Sequence, residues 1–242
     1  MKFLRFSPEG SSQVLQGKMS DGEAVITEDT EYPLSEVTLL PPVHPSIVVC
    51  VALNYRGHAE ETNSPVPDRP SFFLKPPSAV VGPNQSIHRP SADRVDYEAE
   101  IGVVIAETCR DVEESEALDY VWGYTCFNDV SNRDAQSWEQ NWVRAKGFDT
   151  SAPLGPWVAT PDEMPDPIPV ESYLNSEKKQ SSDSSDMIFS IPTLIAEISQ
   201  FMTLHRGDLL ATGTPPGIGP LEAGDQVSIK VGGVGTLTNG VI

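Results

Sequence analysis

Glu98-Ala99-Glu100 places two carboxylates two residues apart, between Asp96-Tyr97 and the apolar run Ile101-Gly102-Val103-Val104-Ile105. A strand turns alternate side chains to opposite faces, so Glu98 and Glu100 share one face while Ile101, Val103 and Ile105 take the other. Carboxylates side by side repel each other unless a cation lies between them. A second acidic cluster, Asn128-Asp129-Val130-Ser131-Asn132-Arg133-Asp134, follows the strand-like Tyr124-Thr125-Cys126-Phe127. Three carboxylates with no Cys or His among them select a hard, oxygen-seeking ion, Mg²⁺ or Mn²⁺, rather than zinc. Without an ion, the same pattern is a pair of solvated glutamates on an exposed strand.

Three further segments carry chemistry-bearing groups. In Asn54-Tyr55-Arg56-Gly57-His58-Ala59-Glu60-Glu61, a helical turn over 56–61 brings His58 and Glu61 together at i and i+3. A carboxylate beside an imidazole orients it as a general acid or base; the plainer alternative is a surface histidine. Lys146, in Arg144-Ala145-Lys146-Gly147, would offset surplus negative charge and hold a substrate oxygen, or is one more exposed lysine. The Gly-rich run Ala211-Thr212-Gly213-Thr214-Pro215-Pro216-Gly217 offers backbone N–H groups and Thr hydroxyls to an anion such as a carboxylate, or is a tight turn between strands. It lacks the Gly-Lys-Ser/Thr ending of a nucleotide phosphate loop, which argues against ATP.

The elements that must position these groups are mostly strands. Ile47–Leu53 is continuous and β-branched, as in a strand buried on both faces, and further strands are expected near 71–75, 99–106, 123–128, 154–159, 208–212 and 226–231. Two helices are expected, one over 113–121 and one from Ser190 as N-cap with Pro192 in its first turn. The Ser- and Asp-rich stretch 176–186 reads as an exposed loop or hairpin tip. Residues 1–43 read as a small N-terminal β element ending in a stiff Pro-rich linker, with the main domain over 44–242. This pattern points to a mixed, β-rich (α+β) sandwich or roll with few helices rather than an alternating α/β sheet.

The chain has 242 residues and a formal charge of -19, which argues against nucleic acid and anionic membrane as partners. The acid excess is dispersed, and only seven of sixteen basic residues are lysines, a surface suited to a salt-rich interior. Cys50, Cys109 and Cys126 show no CxxC spacing, which fits buried thiols in a reducing compartment. The N-terminus lacks a signal-peptide run and Ile47–Leu53 is too short to span a bilayer, so a soluble cytoplasmic protein is expected.

Taken in order, LNYRGHAEE (53–61), DYEAEIGVVI (96–105), GYTCFNDVSNRDAQ (123–136), AKGFDTSAPLGPWV (145–158) and GDLLATGTPPGIGPL (207–221) resemble the fumarylacetoacetate hydrolase family, over about Pro45 to Leu237. The resemblance implies that family's β-rich C-terminal-domain fold and a divalent ion, Mg²⁺ or Mn²⁺, held by Glu98, Glu100 and Asp129. It places Lys146 in the site, Arg133 and Gln136 along the cavity, and Thr212 with Gly213 and Thr214 against a substrate carboxylate. His58 and Glu61 match a dyad on a lid segment, and a homodimer is expected. Asn132 and Asn175-Ser176-Glu177 depart from the family pattern, though neither touches a ligand position. The chain is most similar to the short members, including the 2-hydroxyhepta-2,4-diene-1,7-dioate isomerases.

The expected function is therefore a metal-dependent enzyme acting on small 2-oxo or 2-hydroxydienoic acids through an enolate that the ion stabilises. The isomerase/decarboxylase type of aromatic catabolism comes first, with acylpyruvate hydrolase or oxaloacetate decarboxylase second. From other classes come a non-catalytic, metal-stabilised binding module and a metal-free acidic structural protein.

Overall fold

The computed structural model describes residues 1–20 and 22–242. In chain order the first strands are β1 (Lys2–Pro8), β2 (Leu15–Ser20), β3 (Ala24–Ile26), β4 (Glu31–Pro33), β5 (Val37–Leu40), β6 (Val48–Val51), β7 (Phe72–Lys75), β8 (Val80–Val81), β9 (Val95–Tyr97) and β10 (Ala99–Ile105). They are followed by β11 (Val121–Asn128), β12 (Ser131–Asn132), β13 (Ala152–Ala159), β14 (Pro169–Leu174), β15 (Glu177–Asp183), β16 (Leu209–Ala211), β17 (Gly219–Pro220), β18 (Gln226–Val231) and β19 (Gly235–Gly240). Helices are short: α1 (Arg56–Glu61), α2 (Arg133–Trp138), α3 (Val143–Lys146) and α4 (Ile191–Phe201). Among the described residues, no helix is long and apolar enough to cross a membrane.

A large mixed sheet runs β4-β3-β2-β1-β13-β11-β10-β16-β6-β7, and a four-stranded sheet runs β15-β14-β18-β19. Strand β10 is buried along its whole length, and its alternation decides how the layers meet. Ile101, Val103 and Ile105 share one core with Val170, Ile229, Val231 and Leu237 of the four-stranded sheet. Val104 turns the other way, into a core with Val48, Cys50, Phe127 and Leu209. Two buried faces explain the near-continuous apolar sequence of β6 and β10. The architecture is the β-rich roll with few helices that the sequence implies.

Helix α4 follows its sequence signals: the Ser190 side chain accepts the Thr193 N–H, Pro192 lies in the first turn, and Leu194, Ile195 and Ile198 are buried. Two local expectations are corrected. Residues Glu114–Tyr120 form a 3₁₀ helix that buries only Ala117, because the segment lacks the apolar stripe that would hold a longer α-helix. The stretch 176–186 is mostly strand: the hairpin tip is Asn175-Ser176, both at positive φ, Glu177–Asp183 pairs with β14, and Ser184–Asp186 closes in a 3₁₀ turn. Period-two patterning is faint there because one face of β15 is solvated and almost every residue is polar.

Asp208, fully buried, ties the entry to β6 against the entry to β16. Its Oδ1 accepts from Ser46 N, Ser46 Oγ and Ile47 N at 2.8, 2.7 and 3.1 Å, and its Oδ2 from His205 N at 2.7 Å. Asp208→Ala strands these donors, and about 3 kcal/mol of stability should be lost, seen as a lowered urea midpoint at unchanged slope.

Candidate functional site

Two acidic segments thirty residues apart in sequence meet through strand register. Strands β10 and β11 pair antiparallel with Ala99 opposite Asn128, so Glu98 falls opposite Asp129. The Asp129 N–H donates to Glu98 O at 2.9 Å, and the Glu98 N–H donates to Asn128 Oδ1 at 3.0 Å. Glu100, one alternation further along, turns to the same side. Carboxylate oxygens of Glu98, Glu100 and Asp129 all lie within 4.8 Å of one another, and all three residues are buried.

The cations around them are unevenly shared. Lys146 Nζ, at the end of α3, donates to Glu98 Oε2 at 2.9 Å, Asp129 Oδ2 at 2.6 Å and Ser131 Oγ at 2.6 Å. Arg133, in the first turn of α2, donates through Nε to Asp96 Oδ2 at 2.8 Å and through Nη1 to Gln136 Oε1 at 2.7 Å, and pairs with Glu98. Burial alone would push Glu98 up, but the Arg133 and Lys146 charges overcome it and hold Glu98 well below the ordinary carboxylate range. Glu100 differs. Its Oε2 accepts the Gly213 N–H at 2.9 Å, and no ion pair reaches it among the described residues. Burial, reinforced by the charges of Asp129 and Glu98, pushes its carboxyl well above the ordinary range. A buried carboxylate left without a cation beside two others could hold a divalent ion, and the all-oxygen donor set fits Mg²⁺ or Mn²⁺.

Lys75, which the sequence reading missed, completes the floor. It is fully buried, its Nζ donating to Lys146 O at 2.6 Å, Ser151 O at 2.8 Å and Val130 O at 3.1 Å, with Asp129 Oδ1 at 2.7 Å as an ion-pair partner. Burial pulls its ammonium below the ordinary lysine value, against the opposing pull of Asp129. The only sequence signal was a lysine ending the apolar run Phe72-Phe73-Leu74.

The TGT loop ties itself to β10. Thr212 Oγ1 donates to Ile101 O at 3.0 Å, Thr214 Oγ1 donates to Ala99 O at 2.9 Å, and the Gly213 N–H goes to Glu100. These three hydrogens bond within the protein, where they anchor β10 and aim Glu100. Gly213 has φ +90°, and a Cβ there would lie 2.8 Å from Asn54 Cβ, so this position demands glycine. Gln180, buried within the Ser- and Asp-rich stretch expected to be exposed, fixes the same loop: its Nε2 donates to Thr214 Oγ1 and Pro215 O at 2.8 and 2.7 Å, and its Oε1 accepts from Ala99 N at 3.0 Å.

The expected dyad is present on α1, with His58 Nδ1 2.9 Å from Glu61 Oε2. Glu61 Oε1 accepts the Gly217 N–H at 2.9 Å, which docks α1 on the TGT loop. A cavity of about 550 Å³ opens between them, lined by His58, Arg133, Gln136, Lys146 and Glu98 with Arg94 and Trp142. Glu100 and Asp129 lie behind its wall. Arg94, which holds Asp96 through Nε and Nη2 at 2.8 and 3.0 Å, and Trp142, edge-on to Phe73, were not singled out from the sequence. Nothing in their local pattern separates them from surface residues.

Residues 47–242 match the family model for the fumarylacetoacetate (FAA) hydrolase C-terminal region. A 2,4-didehydro-3-deoxy-L-rhamnonate hydrolase of Sphingomonas sp. (strain SKA58) is 38% identical over 98% of this chain and 94% of its own. The crystal structure of a 5-carboxymethyl-2-hydroxymuconate delta-isomerase from Mycobacterium smegmatis is similar with a TM-score of 0.92 at 40% identity, covering 100% of this chain and 98% of that one. A maleylpyruvate hydrolase from Sphingobium sp. SYK-6, in complex with manganese (II) and pyruvate, is similar with a TM-score of 0.84 at 27% identity, over 100% and 99% of the two chains. A family match over most of the chain, joined by relatives that span its whole length, makes this protein a member of the fumarylacetoacetate hydrolase family.

Proposed function

We propose that the protein is a divalent-metal-dependent enzyme of small 2-oxo and 2-hydroxydienoic acids, of the isomerase/decarboxylase type. The observation that carries this reading is the buried triad Glu98, Glu100 and Asp129, one member lacking a cation, beside a cavity lined by His58, itself paired with Glu61, and by cationic side chains. Mg²⁺ or Mn²⁺ held by the triad would supply a Lewis acid for the carboxylate and 2-oxo oxygens of such an acid.

The chain's own groups account for the remaining chemistry. Lys146 adds positive charge where the 2-oxo oxygen gains electron density. With Nδ1 engaged by Glu61, His58 presents Nε2 as the atom that takes a proton from carbon and returns one, or that activates water. Arg133 is forked between Asp96, Gln136 and Glu98, so it holds the triad's outer wall and gives the cavity positive charge. Arg94 on the rim suits a second carboxylate of a diacid. The named isomerase among the structural relatives supports isomerisation, and the two named hydrolases keep C–C hydrolysis as the second reading.

The test is to incubate Mg²⁺-loaded protein with a panel of 2-oxo and 2-hydroxydienoic acids and to follow products by proton NMR. Turnover that vanishes with chelator and returns with Mg²⁺ is expected; metal-independent turnover, or none on any acid, overturns the reading. His58→Asn should lower kcat by about 10²- to 10⁴-fold while metal binding, read by calorimetry, is unchanged.

A further inference from the structure

A second cavity, of about 690 Å³, lies far from the carboxylates. Its lining comes from the N-terminal strands, from Pro42-Val43-His44 ahead of β6, from Trp122 at the start of β11 and from Arg206-Gly207 ahead of β16. Of the metal-binding candidates, Asp129 follows the opposite end of β11, and Glu98 and Glu100 lie beside it at the start of the antiparallel β10. Seven residue steps along the chain take Trp122 to Asp129, about 23 Å at the rise of an extended strand. The two cavities therefore open at opposite poles of the sheet.

Strand alternation builds the cleft. In the β1–β2 hairpin Phe3 pairs with Lys18 and Arg5 with Gln16, so all four share one face. Leu4 and Phe6 turn the other way, into a small core with Val25. Phe3 packs on Trp122 with ring centroids 5.6 Å apart, and Lys18 Nζ stands 5.6 Å from the Phe3 centroid. Arg5 and Arg206 complete the cationic lining, with His44 between the strands and the body; Glu28 is the one acidic lining residue among those described. The frame is rigid: Arg5 Nη1 donates to Pro41 O at 2.9 Å, and the Asp208 clasp fixes the segments carrying His44 and Arg206.

The charge pattern is what asks for a ligand. The chain carries 35 acidic and 16 basic residues, and most lysines and arginines sit in ion pairs. Among the described residues, no ion pair engages Arg5, Lys18 or Arg206. Burial, and after it the charge of Arg5, holds His44 below its ordinary value. Three uncompensated cations gathered around an aromatic pair, in so acidic a protein, make a pocket for an anion with a flat apolar body.

We propose that this cleft is a second ligand site, distinct from the metal centre, for a small planar carboxylate whose ring lies on Phe3 and Trp122 and whose anionic end meets Arg206, Lys18 and Arg5. The probe is 2-naphthoate, titrated at low ionic strength by calorimetry and by NMR of the tryptophan indole N–H groups. One saturable site per chain is expected, with the Trp122 indole signal shifting while that of Trp142, at the metal-site cavity, stays put. The uncharged 2-naphthalenemethanol should bind at least tenfold more weakly. Arg206→Glu, an exposed position outside the catalytic machinery, should weaken naphthoate at least tenfold at unchanged turnover; Lys18→Glu provides the same reading at a second exposed position. Absence of saturable binding, equal affinity for the neutral analogue, or equal affinity in both charge variants overturns the proposal. So does displacement of naphthoate by Mg²⁺ with oxalate, which would place it at the triad. Conversion of an oligomer to monomers by Arg206→Glu would make the cleft a contact between copies and overturns it too.

Discussion

In metal-free protein, Glu100→Gln is expected to raise the melting temperature and Glu98→Gln to lower it, although both should lose divalent-ion binding and turnover. The opposite signs follow from the distribution of cations. Glu100 has a Gly213 N–H and no ion-pair partner, and a glutamine oxygen accepts that same hydrogen bond. As pH rises past the ordinary glutamate range, folding must bury the Glu100 charge or keep a proton on it, and either costs stability. Glutamine removes that penalty, worth roughly 2 kcal/mol or about 5 °C in a domain of this size. Glu98, held by Arg133 and Lys146, is stabilising in its charged form, and that stability persists until pH falls far below the ordinary range. Removing its charge leaves two buried cations short of a partner, at a cost of about 3–5 kcal/mol or roughly 10 °C. Thermal melts with and without Mg²⁺ check both signs: wild type should gain stability from the ion and neither variant should. A Glu100→Gln protein that keeps the full Mg²⁺-dependent gain would remove Glu100 from the ligand set.

Such a cluster is legible in sequence because its residue types are improbable where they stand. Glutamates on either side of an alanine, running straight into Ile101-Gly102-Val103, must enter a buried strand, and buried acids need partners. His58 and Glu61 are legible because helical spacing is short-range. What was not legible depends on where a side chain ends after the fold closes. Thr212 and Thr214 looked like donors to a ligand, yet their hydrogens go to Ile101 and Ala99, more than a hundred residues away in sequence. Gln180 is one polar residue among many in Glu177–Asp183, and only pairing with β14 shows that it alone points inward. Arg5, Lys18 and Arg206 converge only because β1 joins the sheet at β13.

Lys75 is the strongest case of that kind, and its replacement should be among the most damaging single changes to the fold. Its ammonium gathers three carbonyls, Val130 from between β11 and β12 and Lys146 and Ser151 from the end of α3 and the segment after it, with Asp129 as counter-charge. Lys75→Met keeps the apolar stem but leaves Val130 O and Asp129 Oδ1 without a partner where water does not reach, while Ser151 O keeps the Val130 N–H and Lys146 O keeps the Ser151 hydroxyl; a loss of about 4 kcal/mol, roughly 10 °C, is expected. Lys146→Met provides the contrast. Lys146 Nζ reaches two carboxylates and the Ser131 hydroxyl, so its loss is mainly a loss of positive charge beside Glu98 and Asp129. A divalent ion replaces charge but cannot donate a hydrogen to a carbonyl. Added Mg²⁺ should therefore restore most of the stability of Lys146→Met without restoring turnover, while Lys75→Met stays destabilised at every Mg²⁺ concentration. If melts showed both variants rescued alike, Lys75 would be acting as a counter-charge to Asp129 and not as the tie that holds its loops together.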